Sequence, residues 1–265
     1  MTVVILFFRK GGITLQEPVE TLEGWYCMHL LWSIDGASWR KVTFEHQQEM
    51  VHQFQLLLDD FVQTEAKGNG SHYVFNVSGH KADLGLIILR ETLAELNEIE
   101  LQLTKLPLFD YLKRGTSYVS VTEVGTYTGK PKSDKGWAYV NQHLKPELPD
   151  KPYICFYPMS KLRIPGANWY TLTYDERRQF MHDHGTVGRT YAGKIWQYIT
   201  GSIGLDDFEW GVTLFAETPL MFKKIIAEMR YYEASSVYGE FPYFVVGTHM
   251  DNAGLQKMFL ENWEA

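Results

Sequence analysis

The chain has 265 residues, 45% hydrophobic and 15% aromatic, and carries a formal net charge of −7. That is ample apolar material for one large domain or two of ordinary size, while the acidic balance and the lack of any basic run argue against a nucleic-acid partner. No stretch approaches the roughly 18 to 20 apolar residues of a membrane span, and Val3 to Phe8, followed by Arg9-Lys10, is too short and wrongly flanked for a secretory leader.

Residues 1–18 have no counterpart later in the chain and are expected to be a disordered extension. Trp25 to Ile34 reads as a strand, and Phe44 to Thr64 as a helix, with Met50, Phe54, Leu57, Leu58 and Phe61 at helical intervals. Tyr73–Val77 and Leu84–Leu89 are two β-rich runs parted by a turn, followed by a helix over Thr92–Leu103 and a strand over Tyr118–Thr126. The segment from Gly129 to Pro152, rich in Lys, Gly and Pro, reads as a linker. Beyond it come strand Tyr153–Met159, helix Tyr174 to about Tyr191, strands Ile195–Ile203 and Glu209–Phe215, helix Pro219–Met229 and strand Phe241–Gly247.

The order is βαββαβ twice, so the expected class is α+β, with tandem ferredoxin-like halves (19–128 and 153–265, joined by 129–152) forming a dimeric α+β barrel. The residues repeat as well as the elements. Gly36-Ala37-Ser38-Trp39 with Val42-Thr43-Phe44-Glu45 returns 130 positions later as Gly166-Ala167-Asn168-Trp169 with Leu172-Thr173-Tyr174-Asp175. At that offset His52 falls on His182, which marks the position as scaffold, whereas Phe54 falls on His184 and Cys27 on Tyr157. The differences single out Tyr157 and His184. Cys27 and Cys155 read as buried free thiols of a reducing compartment, and a cytoplasmic location is expected.

Dinucleotide, P-loop, zinc-protease and Cys-x-x-Cys motifs are missing. What remains is a constellation in the second half: Tyr157-Pro158-Met159-Ser160-Lys161, His184-Gly185, Arg189, Gln197, Arg230 and Ser235. A lone helical histidine is more often structural than ligating, but Phe54 in the other copy places this position toward the interior, and Gly185 and Gly188 clear space beside it. One imidazole against a bulky flat ligand suits haem iron. Cys155, Tyr157, Met159 and Lys161 share one strand face, where a phenol, a thioether and an ammonium make a poor core and a reasonable wall for a ligand with carboxylates. Arg189, Arg230 and Ser235 are further carboxylate-binding candidates.

From about Thr21 onward the chain resembles the coproheme decarboxylases of the chlorite dismutase-like superfamily. The resemblance is densest in Cys155–Lys161, His184-Gly185, Gly188-Arg189, Tyr191–Lys194, Glu209–Phe215 and Glu228-Met229-Arg230. It implies a homopentamer of two-half barrels that decarboxylates two propionates of non-covalently bound Fe-coproporphyrin III (coproheme) with hydrogen peroxide as oxidant, giving haem b, with transient contact with the coproporphyrin ferrochelatase. By motif position His184 is the implied iron ligand, Tyr157 the residue that becomes the radical, and Lys161 the partner of the reacting propionate. Gln197 is the implied distal residue, and Pro158, Met159, Ser160, Arg230 and Ser235 border the porphyrin. His143 stands where relatives often carry an arginine, which changes one propionate contact. Chlorite dismutase or haem peroxidase activity on the same fold, and a non-catalytic haem carrier or sensor, are the alternatives.

Overall fold

The computed structural model describes residues 17–127 and 129–263, so residues 1–16 of the anticipated extension lie outside the described residues. The first half runs β1 (Thr21–Ile34), α1 (Gly36–Trp39), α2 (Phe44–Ala66), β2 (Gly70–Val77), β3 (Leu84–Arg90), α3 (Leu93–Lys105) and β4 (Leu112–Gly125). Next comes α4 (Asp134–Leu144), inside the segment read as a linker. The second half runs β5 (Tyr153–Lys161), the small hairpin β6 (Arg163–Ile164) and β7 (Ala167–Asn168), α5 (Tyr174–Thr190), β8 (Ile195–Gly201), β9 (Trp210–Ala216), α6 (Leu220–Met229), α7 (Glu233–Ser236), β10 (Gly239–Glu240), β11 (Val245–His249) and α8 (Asn252–Leu260). Among the described residues no helix is long and apolar enough to cross a membrane.

The duplication survives in the caps. Thr43 and Thr173, 130 positions apart, stand before α2 and α5, and each side chain accepts from the backbone N–H three residues on. At α5 the Glu176 carboxylate returns a bond to the Thr173 N–H, completing a capping box.

Each half forms a four-stranded antiparallel sheet, ordered β2-β3-β1-β4 in the first and β8-β9-β5-β11 in the second. The edges meet reciprocally: β11 pairs with β2 and β4 with β8, closing eight strands into a barrel. Closure removes the unpaired edges that either sheet would expose alone. Inside lie large side chains from both halves, among them Phe75, Tyr118, Phe156 and Phe215. His29 sits there too, stacked on Phe156 at 4.0 Å and bonded to Thr213 Oγ1 at 2.9 Å; burial depresses its pKa to about 3.

The helices cover the outer face. Phe54, Leu58 and Phe61 of α2 pack on β1, β2 and β3 together with Leu255 and Phe259 of α8, while Val187 of α5 and Phe222, Ile225 and Met229 of α6 pack on β5, β8 and β9.

Two local differences from the sequence reading have simple causes. Gly36–Trp39 is helical, whereas in its repeat Gly166–Asn168 belongs to the hairpin, with Gly166 at φ +82°, and Trp169 opens a 3-10 turn. The 130-residue offset also pairs Cys27 with Tyr157 wrongly, because Cys27 points into the barrel and Tyr157 out under the helices. A one-residue slip in a strand exchanges its faces, so the offset that holds for the helices fails here. Both thiols are free, and burial pushes each up to about 12.

Candidate functional site

Between the sheet of the second half and its helices opens a cavity of about 1380 Å³, larger than the roughly 300–1,000 Å³ of ordinary small-molecule pockets. Its two walls differ in chemistry. The sheet wall presents Tyr157, Met159 and Lys161 from β5, Gln197 and Ile199 from β8, and Trp210 and Val212 from β9. The helix wall presents His184, Gly185, Gly188 and Arg189 from α5, Met229 from the end of α6, Arg230 just after it and Ser235 from α7. His143 of α4 closes one side, its Nδ1 2.8 Å from the Tyr139 carbonyl oxygen one turn earlier.

Tyr157 is almost wholly buried, 6% exposed, with its ring 4.8 Å from that of Phe244 and 5.9 Å from that of Phe241. Burial raises its pKa, and the nearby Arg230 partly opposes the rise, so the phenol keeps its proton at neutral pH. Arg230 itself lies over the Phe241 ring at 5.3 Å.

Lys161 is 7% exposed at the end of the same strand face. Its Nζ donates to the Ala234 carbonyl oxygen at 2.6 Å and stands 4.2 Å over the Trp169 ring. Burial brings its pKa down to about 8, against the opposing pull of Glu209. A lysine so placed has few water molecules to lose when an anion arrives.

His184 has a pKa lowered to about 4, mainly by burial and then by the charge of Lys161, which ties the two groups electrostatically. The imidazole is therefore neutral at pH 7, the form a metal requires. Its Nδ1 is buried with no hydrogen-bond partner among the described residues, a cost of about 1–3 kcal/mol. Gly185 and Gly188 have ordinary helical backbones, since neither is among the positive-φ residues. A Cβ at Gly185 would meet only Arg189 Nη1 at 3.6 Å, and one at Gly188 only Met229 Cε at 3.7 Å. Neither glycine is demanded by strain or by protein packing, yet each costs a helix about 1 kcal/mol.

Of the residues expected from sequence, the structure brings His143, Tyr157, Met159, Lys161, His184, Gln197, Arg230 and Ser235 to this one cavity. Pro158 and Ser160 are not in the lining; strand alternation turns them to the other face of β5. Lining residues that the sequence reading passed over include Trp169, Arg178, Trp210 and Glu123. Trp169 stood in the repeat itself, where its copy Trp39 is plain core, so its position beneath Lys161 was legible only in three dimensions.

The charged lining among the described residues is four Lys or Arg (Lys161, Arg178, Arg189, Arg230) against one carboxylate, Glu123, although the whole chain is acidic. No cluster of three His, Cys, Asp or Glu side chains exists among the described residues to hold a bare ion. An iron on His184 would thus bring its other ligands with it, as a tetrapyrrole does. The neutral imidazole, the two bare glycines and the cationic rim all fit such a group with carboxylate arms.

Comparison with known proteins agrees. The coproheme decarboxylases of Staphylococcus carnosus and Staphylococcus saprophyticus are each 46% identical to this chain over 250 residues, covering 92% of it and 99% of theirs. A solved haem-binding protein from Thermus thermophilus superposes with a TM-score of 0.88 at 41% identity, covering 92% of this chain and 98% of that one. The chlorite dismutase of Candidatus Nitrospira defluvii shares the fold at 19% identity, with a TM-score of 0.73 over 90% of this chain and 96% of its own. The chlorite dismutase family model matches residues 47–250, and on these grounds the chain belongs to that family.

Proposed function

We propose that this protein is a coproheme decarboxylase, converting two propionates of Fe-coproporphyrin III to vinyl groups with hydrogen peroxide and so making haem b. The observation that carries the reading is that Tyr157, Lys161 and His184 open onto one cavity whose charged lining is cationic but for a single carboxylate. The names of the two staphylococcal relatives support the same substrate. Bound there, the iron macrocycle is substrate and also supplies the redox chemistry that makes peroxide an oxidant.

The residues of the chain supply the rest. His184 offers a neutral imidazole from the helix wall. Lys161 holds a propionate carboxylate at the sheet wall, and bringing that anion in raises the lysine's pKa from about 8, so the pair is charged when formed. Tyr157, four residues back on the same face, is the hydrogen acceptor: as a radical it takes a hydrogen atom from the propionate β-carbon and regains its O–H bond. Loss of one further electron and of carbon dioxide leaves the vinyl group. Per propionate, one hydrogen peroxide becomes two waters and one proton is consumed. Fixing the carboxylate beside the phenol converts this into an intramolecular reaction and selects the arm that reacts.

Gln197 gives the sheet wall a neutral amide, which disfavours a chlorite dismutase reading, since that reaction relies on a distal arginine in the family. The deciding experiment loads the protein with coproheme, adds peroxide and follows the porphyrin by mass spectrometry. Loss of two carboxyl groups is expected; an unchanged porphyrin makes the protein a carrier. Tyr157→Phe should bind coproheme and yield little haem b, and full turnover by that variant would reject the radical assignment.

A further inference from the structure

Glu123, the one acidic side chain in the lining among the described residues, plays no part in the scheme above, and its setting makes its presence costly. On β4 it is the direct cross-strand partner of Glu23 on β1, and like charges in that relation repel. Burial and the Glu23 charge both disfavour its ionised form, and only the Trp210 indole, whose Nε1 donates to it at 3.2 Å, works the other way. Space is kept for it as well: a Cβ at Gly201 would overlap the Glu123 carboxylate. Trp210 is the register partner of both Gly201 on β8 and Met159 on β5, so carboxylate, indole and Met159 cross the sheet wall in a row at the Lys161 end of the cavity. Costly polar arrangements of this kind concentrate at functional sites.

We propose that Glu123 is a specificity-determining residue, whose charge, held against the Trp210 indole, keeps a ligand carboxylate out of this part of the cavity and thereby fixes which edge of the tetrapyrrole faces Lys161. The proposal rests on the coproheme reading. Coproporphyrin III bears a methyl and a propionate on every pyrrole, so shape alone barely distinguishes its in-plane orientations, and most charged groups in the lining attract any arm that arrives. A lone carboxylate separates them: an orientation that sets a methyl beside Glu123 is tolerated, and one that sets a propionate there brings two carboxylates together.

Glu123→Gln keeps the size of the side chain and an acceptor for the indole while removing the charge; Glu123→Asp keeps the charge. The measurement is proton NMR of the cyanide-ligated ferric coproheme complexes at pH 8, where each in-plane orientation gives its own set of hyperfine-shifted ring-methyl resonances. Wild type and Glu123→Asp should each show one dominant set. Glu123→Gln should show a second set at roughly a tenth of the intensity or more, bind coproheme several-fold more tightly, and release a mixture of singly decarboxylated isomers with limiting peroxide. A single wild-type set in Glu123→Gln overturns the proposal, and so does a mixture in Glu123→Asp, which would make the cause shape and not charge. If wild type neither binds coproheme nor decarboxylates it, the functional reading fails instead, before Glu123 is at issue.

Discussion

Substituting Gly188 by alanine separates what the fold wants from what the ligand wants. Gly188 lies within α5 with helical backbone, where glycine costs about 1 kcal/mol relative to alanine. The added methyl would meet one protein atom, Met229 Cε at 3.7 Å, which is ordinary contact. The ligand-free variant should therefore gain about 0.5–1 kcal/mol, raising its melting temperature by about 1–4 °C. The same methyl projects into the cavity one helical turn from His184, on the same face. If a flat macrocycle lies against that face, forcing it aside costs about 1–3 kcal/mol, which weakens binding about 5- to 150-fold. Thermal melts of the ligand-free protein and titration of the coproheme Soret band read the two effects separately. A variant that is more stable and binds coproheme as tightly as wild type would falsify the idea that α5 keeps its glycines for a ligand; a less stable one would show that the packing around Met229 had been misjudged.

The other predictions concern His184 and Lys161. His184→Ala removes an imidazole whose buried Nδ1 has no described partner, so the ligand-free protein should lose little stability while the absorption and electron-spin spectra of bound coproheme change; identical spectra would end the case for His184 as ligand. For Lys161 the folded pKa is about 8, against about 10.4 for a free lysine. Between those values the unfolded chain holds more protons than the folded one, so wild-type stability should rise with pH across this window. Lys161→Met abolishes that contribution, and its stability relative to wild type should fall by about 3 kcal/mol between pH 7 and pH 10.5. Urea unfolding at the two pH values measures the difference, and a pH-independent gap would mean that the ammonium is not desolvated.

The legible parts of this chain were those where local pattern and global fold agree. Met50, Phe54 and Phe61 recur at helical spacing and all are buried in α2, so periodicity sufficed. The βαββαβ order required only that strands and helices be told apart. The helix α4 was hidden in a run read as linker: Ser133 caps it and Trp137, Val140 and Leu144 follow helical spacing, but flanking prolines and lysines outweighed three apolar residues. At nine residues, α8 was too short for its period to stand out. In the site, Tyr157, Met159 and Lys161 followed from strand alternation, whereas Pro158 and Ser160 entered through contiguity with a motif and lie on the opposite face. Glu123 could not have been found in this way, because a strand glutamate beside a cavity looks like any solvated one until Trp210, Gly201 and Glu23 are seen around it.

The two halves also explain why the cavity belongs to only one of them. In the first half the face of α2 is closed by its own large side chains and by α8, which packs Leu255 and Phe259 against it; Phe54, at the position matching His184, is fully buried, and the Trp39 indole donates to the Phe259 carbonyl oxygen at 2.9 Å. In the second half the matching helix buries only Arg177 and Val187, and His184 and Gly188 line open space where the other copy has the core residues Phe54 and Leu58. The matching tryptophan, Trp169, lies under the Lys161 ammonium. The first half thus reads as the packed version of the motif, and stability forgone in the second is what opens a cavity. Barrel closure makes the division workable: with β4 paired to β8 and β2 to β11, the well-packed half braces the sheet wall that carries Tyr157 and Gln197. The phenol, ammonium and imidazole can then stay in place although the helix layer above them is not packed shut.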